Sequence, residues 1–149
     1  MSTTPSMMTE ALDLPDVNVL VALVHPGHTH HEQAVEWLRG TTGFATTPIT
    51  ESGLLRLAMN PRITGTQLTG SVALRSLSSI RRHPDWQFLR DDSSLLEPNV
   101  DLVGLVGHRQ VTDVHLVNLA ARHGAVVVTF DRGIGVTLSA RDQRHLRVL

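Results

Sequence analysis

The amino-acid sequence predicts an α/β fold in which helices cover both faces of a parallel sheet. Short apolar segments alternate along the chain with segments of helical periodicity. Such alternation is typical of a parallel sheet buried between two helical layers. A length of 149 residues fits one domain with a sizeable core. We place this domain at residues 10–149, preceded by a flexible N-terminal tail at residues 1–9.

The first half of the domain is predicted to contain two strands and three helices. The strands are expected at 11–16 and 43–46, and the helices at 17–24, 31–39 and 47–59. Pro15 cannot donate to a sheet ladder, so we place it at the end of the first strand. A His-Pro-Gly sequence at 25–27 separates the first two helices. Thr47 and Pro48 give the third helix an N-cap hydroxyl and a proline in its first turn.

The second half is predicted to contain two further helices and three strands. The helices are expected from near Thr66 to a point before Pro84 and from Thr112 to His123, and the strands at 86–89, 125–130 and 145–149. Gly124 is expected to cap the later helix. The segment 125–130 is the clearest strand, because it is apolar and β-branched. Residues 91–99 have the composition of a loop, and residues 100–106 are ambiguous.

Composition narrows the class of protein. The net charge is −1, so there is no global positive field to indicate a nucleic-acid partner. All 13 basic residues are Arg, whose guanidinium suits phosphate, although genomic base composition is the simpler explanation. The absence of Cys excludes disulfides, thiolate chemistry and cysteine-ligated zinc. No signal-peptide pattern is found, and no apolar run approaches the ~20 residues of a membrane helix, so we expect a soluble cytoplasmic protein with no membrane partner.

Four acidic residues lie where apolar segments begin or end: Asp16, Glu51, Asp113 and Asp131. Glu51 and Asp113 each precede apolar residues at i+3, i+4 and i+7, which places them in the first turn of a helix on its core-facing stripe. Asp16 and Asp131 each follow an apolar strand. In an open α/β sheet, the carboxyl ends of the strands and the starts of the following helices share one edge. We therefore expect the four acids to meet there.

Most of these acids also have a local explanation. The helix dipole stabilises an acid in the first turn by roughly 0.3–1 kcal/mol, which would account for Glu51 or Asp113 alone. Asp131 could initiate a turn with the two residues after it, whereas Asp16 has no evident local role. The joint pattern favours a shared site, because capping does not require four acids at one edge and carboxylates are costly near a core. Four carboxylates suit a hard divalent cation.

Each acid lies within a short motif. The motifs are Asp16-Val17-Asn18-Val19-Leu20, Thr50-Glu51-Ser52-Gly53-Leu54-Leu55-Arg56, Thr112-Asp113 and Thr129-Phe130-Asp131-Arg132-Gly133. In this order and spacing they resemble the four motifs of PIN-domain ribonucleases, specifically VapC-type toxins. The resemblance covers residues 12–149. One such motif is weak by itself, but four in order are specific.

The resemblance implies a PIN-like three-layer α/β/α fold around a central, mostly parallel twisted sheet, and a homodimer. It also implies a divalent-metal-dependent endoribonuclease that is the toxin of a type II toxin–antitoxin system, silenced by a cognate VapB-type antitoxin. The catalytic, metal-binding carboxylates would be Asp16, Glu51, Asp113 and Asp131. They would bind Mg²⁺, for which Mn²⁺ could substitute, with Asn18 and Thr129 as polar supports. RNA as the substrate follows from the resemblance alone.

Substrate contacts outside the acids are less well defined by the sequence. Arg56 lies one turn beyond Glu51 and Arg132 directly follows Asp131, so each could hold an RNA phosphate or form an exposed ion pair. The arginine pair at 81–82 fits a solvated helix end. The few aromatic residues show no regular spacing for a base-stacking platform.

Histidines are common metal ligands, but the spacing of those in this chain does not favour that role. His28, His30 and His31 fit a solvated loop before a helix better than a ligand set, and His115 fits a surface or interface position. Their roles stay open at this point.

Several other functions are compatible with acids at strand ends. Phosphoacceptor receiver domains, haloacid-dehalogenase-type phosphatases and Walker-type nucleotide binders all need a Lys, which this chain lacks. Flap-type DNA nucleases usually carry more acids and extra helices. A catalytically silent PIN-like module that binds RNA or protein is the remaining alternative, although all four acids are present.

Overall fold

A computed structural model describes residues 10–149, in which five strands pair in parallel. The strands are β1 (Asp13–Pro15), β2 (Phe44–Thr46), β3 (Trp86–Phe88), β4 (Val126–Thr129) and β5 (Leu146–Val148). Their order across the sheet is β3-β2-β1-β4-β5. The expected tail at residues 1–9 lies outside the described residues.

The described residues form seven α-helices around the sheet. These are α1 (Val17–Val24), α2 (His31–Gly40), α3 (Pro48–Ala58), α4 (Pro61–Thr64), α5 (Gly70–Arg81), α6 (Val111–Arg122) and α7 (Gly133–Val136). Helices α1, α2, α3 and α5 pack on one face of the sheet, and α6 and α7 on the other. No helix within residues 10–149 is long and apolar enough to cross a membrane. The predicted three-layer α/β/α architecture is confirmed.

The two faces of the sheet bury different side chains of the same strands. Leu14 and Val127 pack with α6, whereas Phe44 and Val128 pack with α1, α2 and α3. All four side chains are at most 1% exposed. Consecutive strand residues are apolar because each face meets a helical layer. Burial of one such side chain contributes about 1.5–3 kcal/mol to folding.

The segment between α3 and β3 differs most from the sequence expectation. The apolar pattern predicts a helix from Thr66, but α5 begins after Thr69, whose Oγ1 accepts a 3.3 Å hydrogen bond from a backbone N–H three residues on. The short helix α4 was not predicted. It begins after Asn60, whose side chain caps it, and ends at Gly65, which has a left-handed φ of 74°. Cap chemistry, not periodicity, sets these boundaries.

The start of α3 is also capped differently from the expectation. The Thr47 backbone N–H donates a 3.1 Å hydrogen bond to Thr50 Oγ1. The buried Thr47 hydroxyl, which was expected to be the cap, has no hydrogen-bond partner within residues 10–149. The side chain of Thr50 therefore does part of the capping that the sequence assigns to Thr47.

Candidate functional site

The order of the strands places two of the four acids side by side. The chain builds β1, β2 and β3 outward in one direction, then crosses back to add β4 on the other side of β1. Such a reversal leaves a crevice at the carboxyl ends of the two central strands, which is where ligands bind in open α/β sheets. Asp16 directly follows β1, and Asp131 lies two residues beyond β4. Both acids therefore lie at this crevice.

Asp16 is held at the crevice by hydrogen bonds to both of its carboxylate oxygens. Oδ1 accepts from the Val17 backbone N–H at 2.7 Å, and Oδ2 accepts from Thr129 Oγ1 at 3.1 Å. The first of these bonds makes Asp16 the N-cap of α1, a local role that the sequence analysis missed. Burial raises the pKa of Asp16, and the negative charge of Asp131 adds to this against the lowering effect of the two hydrogen bonds.

Asp131 is exposed, and its backbone and side chain are both anchored. Its N–H donates to Thr129 Oγ1 at 3.0 Å, and its Oδ1 accepts from the Gly133 N–H at 2.7 Å. The second bond forms the turn predicted for Asp131 and leads into α7, which the sequence did not predict. Asp131 therefore forms the turn through Oδ1 and leaves Oδ2 available to a ligand.

Asp113 joins the same site from the other helical layer. It lies in the first turn of α6, and the residues at i+3, i+4 and i+7 from it are buried, as predicted. Burial, and after it the carboxylates of Asp16 and Asp131, together raise the pKa of Asp113 to about 6. The three aspartates therefore lie close enough to repel one another.

Glu51 occupies a neighbouring position with different partners. Its Oε2 accepts a 2.6 Å hydrogen bond from Thr46 Oγ1, at the end of β2, and its Oε1 lies 3.7 Å from Arg81 Nη1. The carboxylates that raise the pKa of Asp113 are those of Asp16 and Asp131, and Glu51 is not among them. The structure thus places three of the predicted acids within electrostatic range of one another and holds the fourth at the adjoining strand end.

The supporting residues named from the sequence fall into two groups. Thr129 is fully buried and links Asp16 to the backbone of Asp131 through its hydroxyl. Asn18, Arg56 and Arg132 are exposed on α1, α3 and the start of α7. An exposed Arg is free to meet a phosphate, so the two arginine assignments stay predictions.

Two residues that shape this region were not singled out from the sequence. A Cβ on Gly53 would lie 2.6 Å from Val17 Cγ2, so the small residue allows α3 to approach α1 beside Asp16. Arg81, assigned to a solvated helix end, instead faces Glu51 and lies over the Trp86 ring. Neither contact could be predicted from the spacing of residues in the sequence, because each joins segments that belong to different elements.

A further buried acid lies outside the site. Asp13, at the start of β1, accepts hydrogen bonds at Oδ2 from Trp37 Nε1 (2.8 Å), Thr41 Oγ1 (2.9 Å) and Arg147 Nη2 (2.6 Å). It lines a cavity of about 700 Å³ with Glu36, away from the carboxyl ends of the strands. Because its partners are all side chains of the scaffold, Asp13 has the contacts of a structural acid.

The histidines make contacts within the protein. His30 stacks on Phe130, with ring centroids 4.5 Å apart, and His31 Nδ1 is 2.6 Å from the Ala22 carbonyl oxygen. His115 pairs with Asp91 at 2.7 Å. Although burial opposes it, this bond lowers the pKa of Asp91. Each of these three rings therefore has a partner within the protein, and the interpretation of the histidines stays a prediction.

The donor chemistry of the three aspartates fits a hard divalent cation, because Mg²⁺ prefers oxygen ligands. Within residues 10–149, no three His, Cys, Asp or Glu side chains are gathered closely enough to ligate one ion together. Mg²⁺ commonly uses only one or two protein carboxylates and keeps several waters. The residues therefore fit a magnesium site with few protein ligands.

Comparison with known proteins agrees with this geometry. The family model described as PIN domain matches residues 14–137. Ribonuclease VapC38 of Mycobacterium tuberculosis is 41% identical over 138 residues, which cover 91% of this chain and 96% of that protein. Ribonuclease VapC39 of the same species is 39% identical over 130 residues, covering 85% of this chain and 94% of that protein.

A solved structure shares the fold at low sequence identity. The crystal structure of VapBC2 from Rickettsia felis, bound to a DNA fragment from its promoter, matches with a TM-score of 0.61 and 11% identity, covering 93% of this chain and 98% of that chain. The family match extends over most of the chain and includes all four acidic motifs. The chain belongs to the PIN-domain family and, within it, to the VapC ribonucleases.

Proposed function

We propose that the chain is a divalent-metal-dependent endoribonuclease that hydrolyses RNA phosphodiester bonds, and the toxin of a type II toxin–antitoxin system. The observation that carries the proposal is the placement of acids at the crevice between β1 and β4, where the Thr129 hydroxyl joins Asp16 to the backbone of Asp131 and both carboxylates raise the pKa of Asp113. A protein keeps like charges together at a cost, which a bound cation offsets. Membership of the VapC ribonucleases supports RNA as the substrate.

Each side chain has a distinct part in this proposal. Asp16, Asp113 and Asp131 would hold Mg²⁺, or Mn²⁺ in its place, one or two of them by direct ligation and the others through waters on the ion, and Glu51 would complete the acidic edge from α3. A divalent cation held there would lower the pKa of an attacking water and would offset negative charge on the phosphate. Thr129 orients Asp16 by donating to Oδ2, and this hydrogen bond favours the ionised carboxylate. Asn18 is the exposed polar neighbour on α1.

The proposed function also implies two protein partners, an antitoxin and a second copy of the chain. The matching chain of the same fold comes from the VapBC2 structure, which is a VapBC complex. We therefore expect a cognate VapB-type antitoxin to bind this chain, and a homodimer of the chain itself. Co-expression with the antitoxin candidate from the adjacent gene should relieve growth inhibition. Persistent inhibition with no complex would contradict the antitoxin assignment and leave the nuclease proposal standing.

The direct test is cleavage of total cellular RNA by the purified chain. We expect cleavage with Mg²⁺ or Mn²⁺, none with EDTA, and none from Asp16→Asn. Asp13→Asn is the matched control, because Asp13 is a buried acid at the opposite end of β1 from Asp16 and its partners are scaffold side chains. The folded fraction of each variant is measured by circular dichroism, and activity is expressed per folded molecule.

The control separates chemistry from stability. Loss of cleavage in Asp16→Asn with retention in Asp13→Asn would support the proposed site. No cleavage by folded, metal-supplied, antitoxin-free wild type would contradict the proposal and favour the catalytically silent binding module.

A further inference from the structure

A cationic and aromatic surface adjoins the acidic site. Arg81 Cζ lies 4.4 Å from the centroid of the Trp86 ring and 5.6 Å from that of Phe88. Trp86 and Phe88 are alternate residues of β3, so their side chains share one face of the edge strand. The exposed fractions are 44% for the Arg81 side chain and 42% for Phe88. The surface therefore presents a planar cation and an aromatic ring to solvent.

This surface is linked to the acidic site by hydrogen bonds. Trp86 Nε1 donates to Thr46 Oγ1 at 2.8 Å, and Thr46 Oγ1 donates to Glu51 Oε2 at 2.6 Å. Phe88 is paired with Thr46 in the sheet, so β3 and β2 end at the same level. Neighbouring strands are ~4.8 Å apart, so β3 lies about 10 Å from β1 and Asp16. A polynucleotide crossing this edge of the sheet would reach both the cationic and aromatic surface and the acidic site.

Arg81 is placed to accept a phosphate. Within residues 10–149 its one ion pair is with Glu51, at 3.7 Å, which is longer than a hydrogen bond. Its guanidinium is therefore oriented by the rings and the carboxylate while most of its N–H groups are left for another acceptor. A pre-oriented planar fork loses less entropy when it binds phosphate in a bidentate manner.

Phe88 supplies the second contact that single-stranded RNA needs. Unpaired bases stack on aromatic side chains and on Arg planes, and the contact tolerates any base. No spacing in the sequence predicts this platform, because Arg81 and Phe88 belong to different elements and only the fold brings them together. Arg82 offers a contrast on the same helix end, since its guanidinium lies 3.5 Å from Ser78 Oγ and not over a ring.

We propose that Arg81, Trp86 and Phe88 form an RNA-binding subsite beside the acids, where Arg81 binds a phosphate and Phe88 stacks on an adjoining base. The proposal rests on the ribonuclease function proposed above and adds the surface that positions the strand. Trp86 is a positioning residue, which orients Arg81 by its ring and Thr46 by its indole N–H.

The test measures RNA affinity apart from cleavage. A short fluorescein-labelled single-stranded RNA of random sequence is titrated with Asp131→Asn protein, which is expected to bind without cutting, and anisotropy is followed over a range of salt concentrations. In this background we expect Arg81→Ala to lower affinity about tenfold and to reduce the salt slope by about 0.7, the value for one single-strand phosphate contact. Phe88→Ala should lower affinity about tenfold with no change of slope. Arg82→Ala, the control, should change neither.

The outcomes are distinguishable from failure of the ribonuclease proposal. Equal affinity and slope in Arg81→Ala, Phe88→Ala and Arg82→Ala, with wild type that binds and cuts RNA, would overturn the subsite alone. Loss of self-association or of the antitoxin complex in these variants, with RNA affinity unchanged, would show a protein interface and would also overturn it. Wild type that neither binds nor cuts RNA would overturn both proposals.

Discussion

The Thr129 hydroxyl donates a 3.1 Å hydrogen bond to Asp16 Oδ2 and thereby joins the ends of β4 and β1. The same hydroxyl accepts the N–H of Asp131 at 3.0 Å. One buried side chain thus fixes the spacing of two acids that are 115 residues apart in the sequence. Because the bond favours the ionised carboxylate, it lowers the pKa of Asp16 against the effect of burial.

Replacing Thr129 by Val should expose this role. Val keeps the shape but not the hydroxyl, so we expect a loss of about 1.5–3 kcal/mol of unfolding free energy, the range for hydrogen bonds to charged groups. The pKa of Asp16 should rise, which moves the acidic limb of the pH–rate profile to higher pH. Urea unfolding and the pH–rate profile are the measurements. Thr129→Ser, which restores the hydroxyl, should return both toward wild type, and unchanged stability in Thr129→Val would contradict the role.

The stability of the metal-free protein should depend on the protonation of Asp113. Its pKa is raised from 3.8 to about 6, so the folded state binds more protons than the unfolded state between these values. The contribution of Asp113 to stability therefore falls as pH rises through that window. Asp16, whose pKa is also raised, acts in the same direction.

Asp113→Asn is the variant that tests this dependence. Thermal unfolding in EDTA should show Tm falling from about pH 4 to about pH 6 in wild type, with a smaller fall in the variant, because the amide does not titrate. Asp92→Asn is a suitable control, since Asp92 is exposed and pairs with His123 and Arg122 away from the crevice. A wild-type Tm that rises throughout this window would contradict the assignment.

Divalent metal should stabilise the fold and release protons. A cation that binds the folded state alone raises stability by mass action, and it favours ionised Asp16 and Asp113. Near pH 6, where Asp113 is about half protonated, calorimetric titration with Mn²⁺ in two buffers of different ionisation enthalpy should show net proton release. Asp113→Asn should release fewer protons. Binding with no proton release at this pH would show that the bound ion does not change the protonation of Asp113.

The sequence predicted the acidic site as far as topology alone determines it. Asp16, Asp113 and Asp131 could be placed together because strand ends and helix starts share one edge of a parallel sheet. The partners of Glu51 could not be predicted, because they depend on how α5 packs against α3 and brings Arg81 over β3. Sequence spacing specifies which stripe of a helix is buried but not the neighbour that its end will meet.

The structural role of Asp13 could not be predicted from the sequence for a related reason. Its partners Trp37 and Arg147 are 24 and 134 residues away in the sequence, and neither belongs to a recognisable motif. The short helices α4 and α7 were missed because each has only four residues, too few for a periodic pattern. Local capping and turn bonds, such as Asp131 to Gly133, decide such elements.

Gly53 should be intolerant of even one added methyl group. Its Cβ would lie 2.6 Å from Val17 Cγ2, so Gly53→Ala must push α3 away from α1 or displace Val17, which adjoins Asp16. We expect a loss of about 1–3 kcal/mol of unfolding free energy, typical of overpacking. RNA cleavage per folded molecule should also fall, because the shift moves Glu51 relative to Asp16.

Two further variants make this prediction specific. Gly40→Ala in α2 meets no heavy atom within 4 Å and should be neutral or slightly stabilising, because Ala is the better helix former. Val17→Ala combined with Gly53→Ala removes the clashing methyl groups, so a double-mutant cycle should show favourable coupling between the two positions. Additive losses in urea unfolding would mean that the two helices do not meet at this contact. The contact would then not determine the position of α3 relative to α1.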